Sequence, residues 1–229
     1  MPDPTAGSIP AAGRLGSRPG PAPAGDPWPA GVHELELGGG AEVLLAVPPG
    51  EPLPRPVLVF CHGAGGTPAQ SLGALGRAAA DRGVLVLAPR SGAATWDLIA
   101  GRLGRDVAVL DAALAQVAEQ VPVSRCAIGG FSDGASYALS LGPANGDLFD
   151  AVLAFSPGFA VPPARRGRPR IWLTHGTGDR VLPVDRCGRR LAAAFRDEGY
   201  PVTYDEFDGG HVVRPEGVVT ALRWWLDEG

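Results

Sequence analysis

With 229 residues, 45% of them hydrophobic and 19% charged, the chain has the length and core-forming content of one domain. A net charge of −4 without blocks of like charge argues against nucleic-acid binding, and no run nears the ~18 apolar residues of a membrane span. No basic start followed by an apolar stretch marks a secretory signal, and Cys61, Cys126 and Cys187 fit three buried thiols of a reducing, cytoplasmic compartment. Gly (34) and Pro (24) make up about a quarter of the chain, and 8 Pro and 6 Gly crowd into residues 1–31. That stretch shows no hydrophobic period and is expected to be a flexible or surface-wandering segment, leaving 32–229 as a single domain. Residues 33–37 and 42–47, separated by three glycines, predict an antiparallel hairpin. The continuous apolar run 56–61 predicts a strand covered on both faces, followed by a helix over 69–81 and a strand over 84–88. In 105–120, Val107, Leu110, Leu114 and Val117 recur at three- and four-residue spacings, one stripe of a helix. Strands over 125–129, 151–155, 170–174 and 202–207 and helices over 185–198 and 216–227 complete the chain. The alternation predicts an α/β fold, a mostly parallel sheet with helices on both faces, and functional residues just past the strands' C-terminal ends.

One of those strand ends reads Gly130-Phe131-Ser132-Asp133-Gly134, a G-x-S-x-G sequence between a strand and a helix. A sharp turn there projects the Ser132 hydroxyl, and glycine on either side lets neighbouring backbone approach. A serine hydroxyl is a weak nucleophile without a positioned base. Of the four histidines, His33 lies in the first hairpin, far from that edge. His62 and His175 each end a strand, and His175 reads as a structural hydrogen bonder. His211, in Asp208-Gly209-Gly210-His211 between the last strand and the last helix, is the best base. A carboxylate must orient the imidazole. Asp179, in the loop after the penultimate strand, fits that role. Asp205 and Asp208 are too near His211 in sequence, and Asp185 reads as a helix cap. The chain order Ser132, Asp179, His211 is that of one fold class among the common triads. An oxyanion hole needs two backbone N–H donors. Asp133 is expected to supply one, and Ala64 in the loop Cys61-His62-Gly63-Ala64-Gly65-Gly66 the other. That loop lacks the Gly-Lys-Ser/Thr ending of a phosphate-binding loop.

These motifs, together with Gly178-Asp179, resemble the α/β-hydrolase superfamily, and within it the phospholipase/carboxylesterase group of acyl-protein thioesterases and dienelactone-hydrolase-like esterases. The resemblance runs in order from 62 to 211, and the strand pattern extends it from about 33 to the end. It implies catalytic roles for Ser132, Asp179 and His211 and oxyanion roles for the amides of Ala64 and Asp133. Dienelactone hydrolases use a cysteine nucleophile, so Ser132 argues for an esterase. Residues 1–31 have no counterpart in the family pattern.

Only residues 156–169 separate two strands where lipases of this fold insert a helical lid. An open, lidless site and small or short-chain acyl esters are therefore expected, with no metal or organic cofactor and a small-molecule ester as the partner. Trp96, in the loop after the fourth strand, reads either as a wall of the substrate site or as packed in the core, and Phe159 is a further candidate wall. The basic stretch 165–170 reads as a solvated loop. A bulky or polymeric ester is the alternative substrate, and a non-catalytic binding protein on the same fold is the alternative of another class.

Overall fold

The computed structural model describes residues 13–20, 26–50, 54–98, 101 and 104–227. Eight strands form one sheet: β1 (Gly31–Glu34), β2 (Val43–Val47), β3 (Arg55–Cys61), β4 (Leu85–Pro89), β5 (Val123–Phe131), β6 (Ala151–Phe155), β7 (Arg170–Gly176) and β8 (Val202–Phe207). Their spatial order is β1-β2-β4-β3-β5-β6-β7-β8; β1 and β2 pair antiparallel, as do β2 and β4, and all other neighbours are parallel. Five helices connect them: α1 (Pro68–Ala80), α2 (Arg105–Gln120), α3 (Asp133–Ala144), α4 (Gly188–Asp197) and α5 (Pro215–Trp225).

The apolar run of β3 shows why the sheet is covered twice. Successive side chains of a strand point to opposite faces. Val57, Val59 and Cys61 enter one core with Leu110, Leu114 and Val117 of α2, Tyr137 and Leu141 of α3, and Phe195 of α4. Leu58 and Phe60 enter the other, with Leu75 and Ala79 of α1 and Val218, Leu222 and Trp225 of α5. The stripe read in α2 is buried along its whole length.

Helix ends follow local chemistry. Thr67 caps α1: its hydroxyl accepts from the Gln70 N–H, the Gln70 side chain accepts from the Thr67 N–H, and Pro68 sits inside the first turn. Asp185, expected to cap the helix after β7, does not. Cys187 occupies the N-cap of α4, and Asp185 pairs with Arg189 at 2.6 Å instead.

Part of the N-terminal segment is anchored. Within it, residues 13–20 lie against the domain, with Leu15 fully buried in the α2–α3 core. Asn145, the chain's one asparagine and fully buried, accepts from the Leu15 N–H at 2.9 Å and donates to the Gly13 carbonyl at 2.9 Å. Asp111 accepts the N–H groups of Gly16 and Ser17, and the Gly20 carbonyl accepts from Val123 at the start of β5. Residues 1–12 and 21–25 of that segment lie outside the described residues. No helix among the described residues is long and apolar enough to cross a membrane. Residues 156–169 join β6 to β7 without a helix or strand, so among the described residues no lid domain is inserted between these strands.

Candidate active site

The turn from β5 into α3 is as tight as its glycines permit. A Cβ on Gly134 would lie 2.1 Å from the Cys61 carbonyl oxygen, and one on Gly130 would lie 2.5 Å from the Gly134 carbonyl carbon. Between them Ser132 takes φ 54° and ψ −115°, a conformation that costs a non-glycine residue of order 1–3 kcal/mol. The surroundings hold it there. Its N–H donates to the Phe155 carbonyl at 2.9 Å, and its own carbonyl accepts from the Ser136 N–H at 3.0 Å. The Ser136 hydroxyl donates to that carbonyl at 3.2 Å and accepts from the N–H groups of Gly158 and Phe159. Ser136 was not singled out in the sequence; its place one helical turn after Ser132 is the signal that could have found it.

Asp179 follows β7 and His211 follows β8, and their loops touch, with the Gly178 N–H donating to the Gly209 carbonyl at 2.9 Å. The structure brings Ser132, Asp179 and His211 into one hydrogen-bonded chain. His211 Nδ1 is 2.6 Å from Asp179 Oδ2, and His211 Nε2 is 2.8 Å from Ser132 Oγ. A carboxylate only accepts, so Nδ1 carries the proton and Nε2 is left to accept from the serine hydroxyl. The other Asp179 oxygen accepts from the N–H groups of Val181 and Leu182 at 2.9 and 2.8 Å. Burial alone would push the Asp179 carboxyl up, but the Leu182 N–H and His211 outweigh it and hold it below the usual carboxylate range. The Phe131 ring packs on the His211 imidazole, with centroids 4.7 Å apart.

His175 is fully buried. Its Nε2–H donates to the Leu182 carbonyl at 2.7 Å and lies 3.3 Å from Asp179 Oδ2, so it braces the Asp179 loop.

The loop after β3 lies beside Ser132: a Cβ on Gly63 would lie 3.4 Å from the serine's Cβ. Gly65 and Gly66 donate their N–H groups to the carbonyls of Ala94 and Gly63, whereas Ala64 makes no such bond among the described residues. Asp133 is the first residue of α3, where N–H groups have no intrahelical acceptor. His62, passed over in the sequence, braces this loop. Its Nδ1–H donates to the Gly63 carbonyl at 2.7 Å and its Nε2 accepts from the Ser91 N–H at 3.1 Å.

Trp96 is not a wall of the site. It is 1% exposed, stacks on Tyr137 at 4.8 Å, and donates its indole N–H to the His62 carbonyl at 2.9 Å. An indole in a Gly-rich loop folds under it when a backbone carbonyl can take its N–H. The Asp133 side chain accepts from the Thr95 hydroxyl in the same loop, tying it to the start of α3. Phe159 is half-buried and held through its backbone by Ser136. In the basic stretch, Arg165 pairs with Glu198, Arg168 donates to the Gly199 carbonyl and Arg170 pairs with Asp227. Cys61, Cys126 and Cys187 are free and buried. Among the described residues, no group of three or more His, Cys, Asp or Glu side chains could hold a metal ion.

No protein-family model matches the sequence, and no curated protein matches it as a relative. Solved structures do match. The esterase PE8 is 24% identical with a TM-score of 0.63, covering 80% of this chain and 98% of its own. Acyl-protein thioesterase 2 of Zea mays is 18% identical with a TM-score of 0.58, covering 81% and 97%. The fluorophosphonate-binding serine hydrolase FphF of Staphylococcus aureus is 14% identical with a TM-score of 0.66, covering 86% and 98%. The sheet order, the serine turn at the end of β5 and these likenesses give one conclusion: the chain has the α/β-hydrolase fold.

Proposed function

We propose that the protein is a serine carboxylesterase that hydrolyses small or short-chain acyl esters through an acyl-enzyme. The observation that carries this reading is the continuous chain from Ser132 Oγ through the His211 imidazole to Asp179, built on a strained serine turn. In the proposed mechanism Ser132 Oγ attacks the carbonyl carbon while His211 Nε2 takes its proton. Asp179, already a carboxylate at neutral pH, stabilises the imidazolium. The N–H groups of Asp133 and Ala64 receive the developing oxyanion. His211 returns the proton to the departing alcohol, then draws one from a water that releases the acid. These steps need no metal or organic cofactor. The absence of a lid domain between β6 and β7 among the described residues favours small soluble esters. The three buried thiols favour a reducing compartment, and on that basis we place the protein in the cytoplasm.

Ser132→Ala should lower kcat/KM on p-nitrophenyl butanoate roughly 10,000-fold or more while leaving the thermal midpoint within a few degrees of wild type or above it, since the strained serine's polar contacts are few. Labelling of the wild type by a fluorophosphonate should map to Ser132. Near-wild-type turnover by the alanine variant, or labelling elsewhere, would sink the assignment.

A further inference from the structure

A cavity of about 260 Å³ opens beside the serine turn. Its wall draws on three of the four site segments, the Asp179 loop being the exception: Gly63 and Ala64 from the loop after β3, Phe131 from the residue before Ser132, and Val213 from two residues after His211. The opposite wall is one face of α1, where Ser71 and Ala74 look into it. The volume falls below the ~300–1,000 Å³ of sites for drug-sized ligands, so an occupant of a few carbons fits. The wall is mostly apolar; Gln70 and His62 on it are bonded to Thr67 and to Gly63 and Ser91, and the remaining polar side chain points to a ligand. Ser71 is 2% exposed, and its hydroxyl has no hydrogen-bond partner among the described residues. An unpaired buried hydroxyl is destabilising, and an occupant's oxygen would relieve it.

The position relative to His211 decides which half of an ester enters. The proton on His211 Nε2 must reach the leaving oxygen, so the alcohol departs on the imidazole's side. The cavity is lined by Phe131, which packs on the imidazole, and by Val213 of the same loop, and these set it next to the imidazole. We propose that this cavity receives the leaving alcohol of the substrate, and that the alcohol carries a second oxygen, bonded to Ser71 Oγ. The preferred substrate is then a monoester of a short diol or a similar hydroxylated alcohol. Collapse of the tetrahedral intermediate breaks the bond from the acyl carbon to the alcohol oxygen. That oxygen takes the His211 proton, and the acyl group stays on Ser132 Oγ. The inference rests on the serine esterase reading above.

The test compares kcat/KM for methyl acetate, butyl acetate, butanediol monoacetate and methyl butanoate. Ala74→Phe, which fills the cavity from α1, should lower the butyl-to-methyl acetate ratio about tenfold or more, the scale on which a pocket reads a methylene. The wild type should prefer butanediol monoacetate to butyl acetate, and Ser71→Ala should reduce that preference about tenfold. Fluorophosphonate labelling of each variant reports an intact site; if Ala74→Phe fails to label, the Ser71→Ala ratio decides. The proposal is overturned if Ala74→Phe acts on methyl butanoate instead, which would make the cavity an acyl pocket, or if either ratio stays at the wild-type value. If the wild type neither labels at Ser132 nor hydrolyses any of the four esters, the esterase reading itself falls. Labelling and turnover without these ratios leave that reading standing and remove only the cavity's role.

Discussion

His62 shows how a single protonation can reach the loop beside the serine. Burial lowers its pKa below the ordinary 6.5, only partly offset by its bond to the Gly63 carbonyl. The neutral ring donates through Nδ1 and accepts through Nε2; a second proton would turn the Ser91 N–H contact into a clash of donors. A depressed folded value means that the unfolded chain binds the proton more readily. The stabilisation from neutral His62 is therefore fully present above about 6.5 and is lost as pH falls through the lowered folded value. Urea titrations at descending pH should show stability declining from about 6.5 down to the lowered folded value, and His62→Gln should flatten the decline. An equal slope in the variant would place the titrating group elsewhere. The sequence made Ser132, Asp179 and His211 legible because each sits in a short motif at a strand end, where backbone geometry alone fixes the side chain. It left Trp96 open between wall and core and gave His62 no role. Whether a loop aromatic faces substrate or folds beneath its loop depends on which carbonyl takes its N–H, here that of His62, and that partner is 34 residues away.

At the scale of elements, the strands and helices were readable from alternation and from the stripe of α2, because both periods record burial directly. The anchoring of residues 13–20 was not legible because composition averages over the N-terminal segment. Its Pro and Gly content hides one anchor, Leu15, whose role depends on the distant Asn145 at the end of α3. Leu15 is fully buried, and the flanking N–H and carbonyl groups are tied to Asn145, Asp111 and Val123. Leu15→Ala should destabilise the protein by about 2 kcal/mol or more, since it leaves a cavity in the α2–α3 core. In a chain of this size that is a fall in Tm of roughly 4–8 °C. Differential scanning calorimetry would check it, and an unchanged Tm would mean that the segment adds nothing to the domain's stability. The serine site lies at the other end of α3, so esterase activity below the transition should persist.

At the scale of the whole molecule, the connection from β6 to β7 decides how the site meets substrate. Residues 156–169 are too short for a lid and are also pinned along their length. The Gly158 and Val161 N–H groups donate to the Ser136 and Ser140 hydroxyls of α3, and the Arg166 N–H donates to the Pro143 carbonyl. Arg165 holds Glu198 at the end of α4. A segment fastened at this many points offers no hinge, whereas lids that open at an interface need a mobile connection between closed and open states. The proposed esterase should therefore show no activation at a lipid–water interface. With a sparingly soluble triglyceride such as tributyrin, the rate should rise hyperbolically with dissolved substrate and flatten at the solubility limit. Replacing dissolved by emulsified substrate should give no further step. A sharp jump in rate on crossing that limit would show that some part of the chain covers the site in water and moves away at an interface.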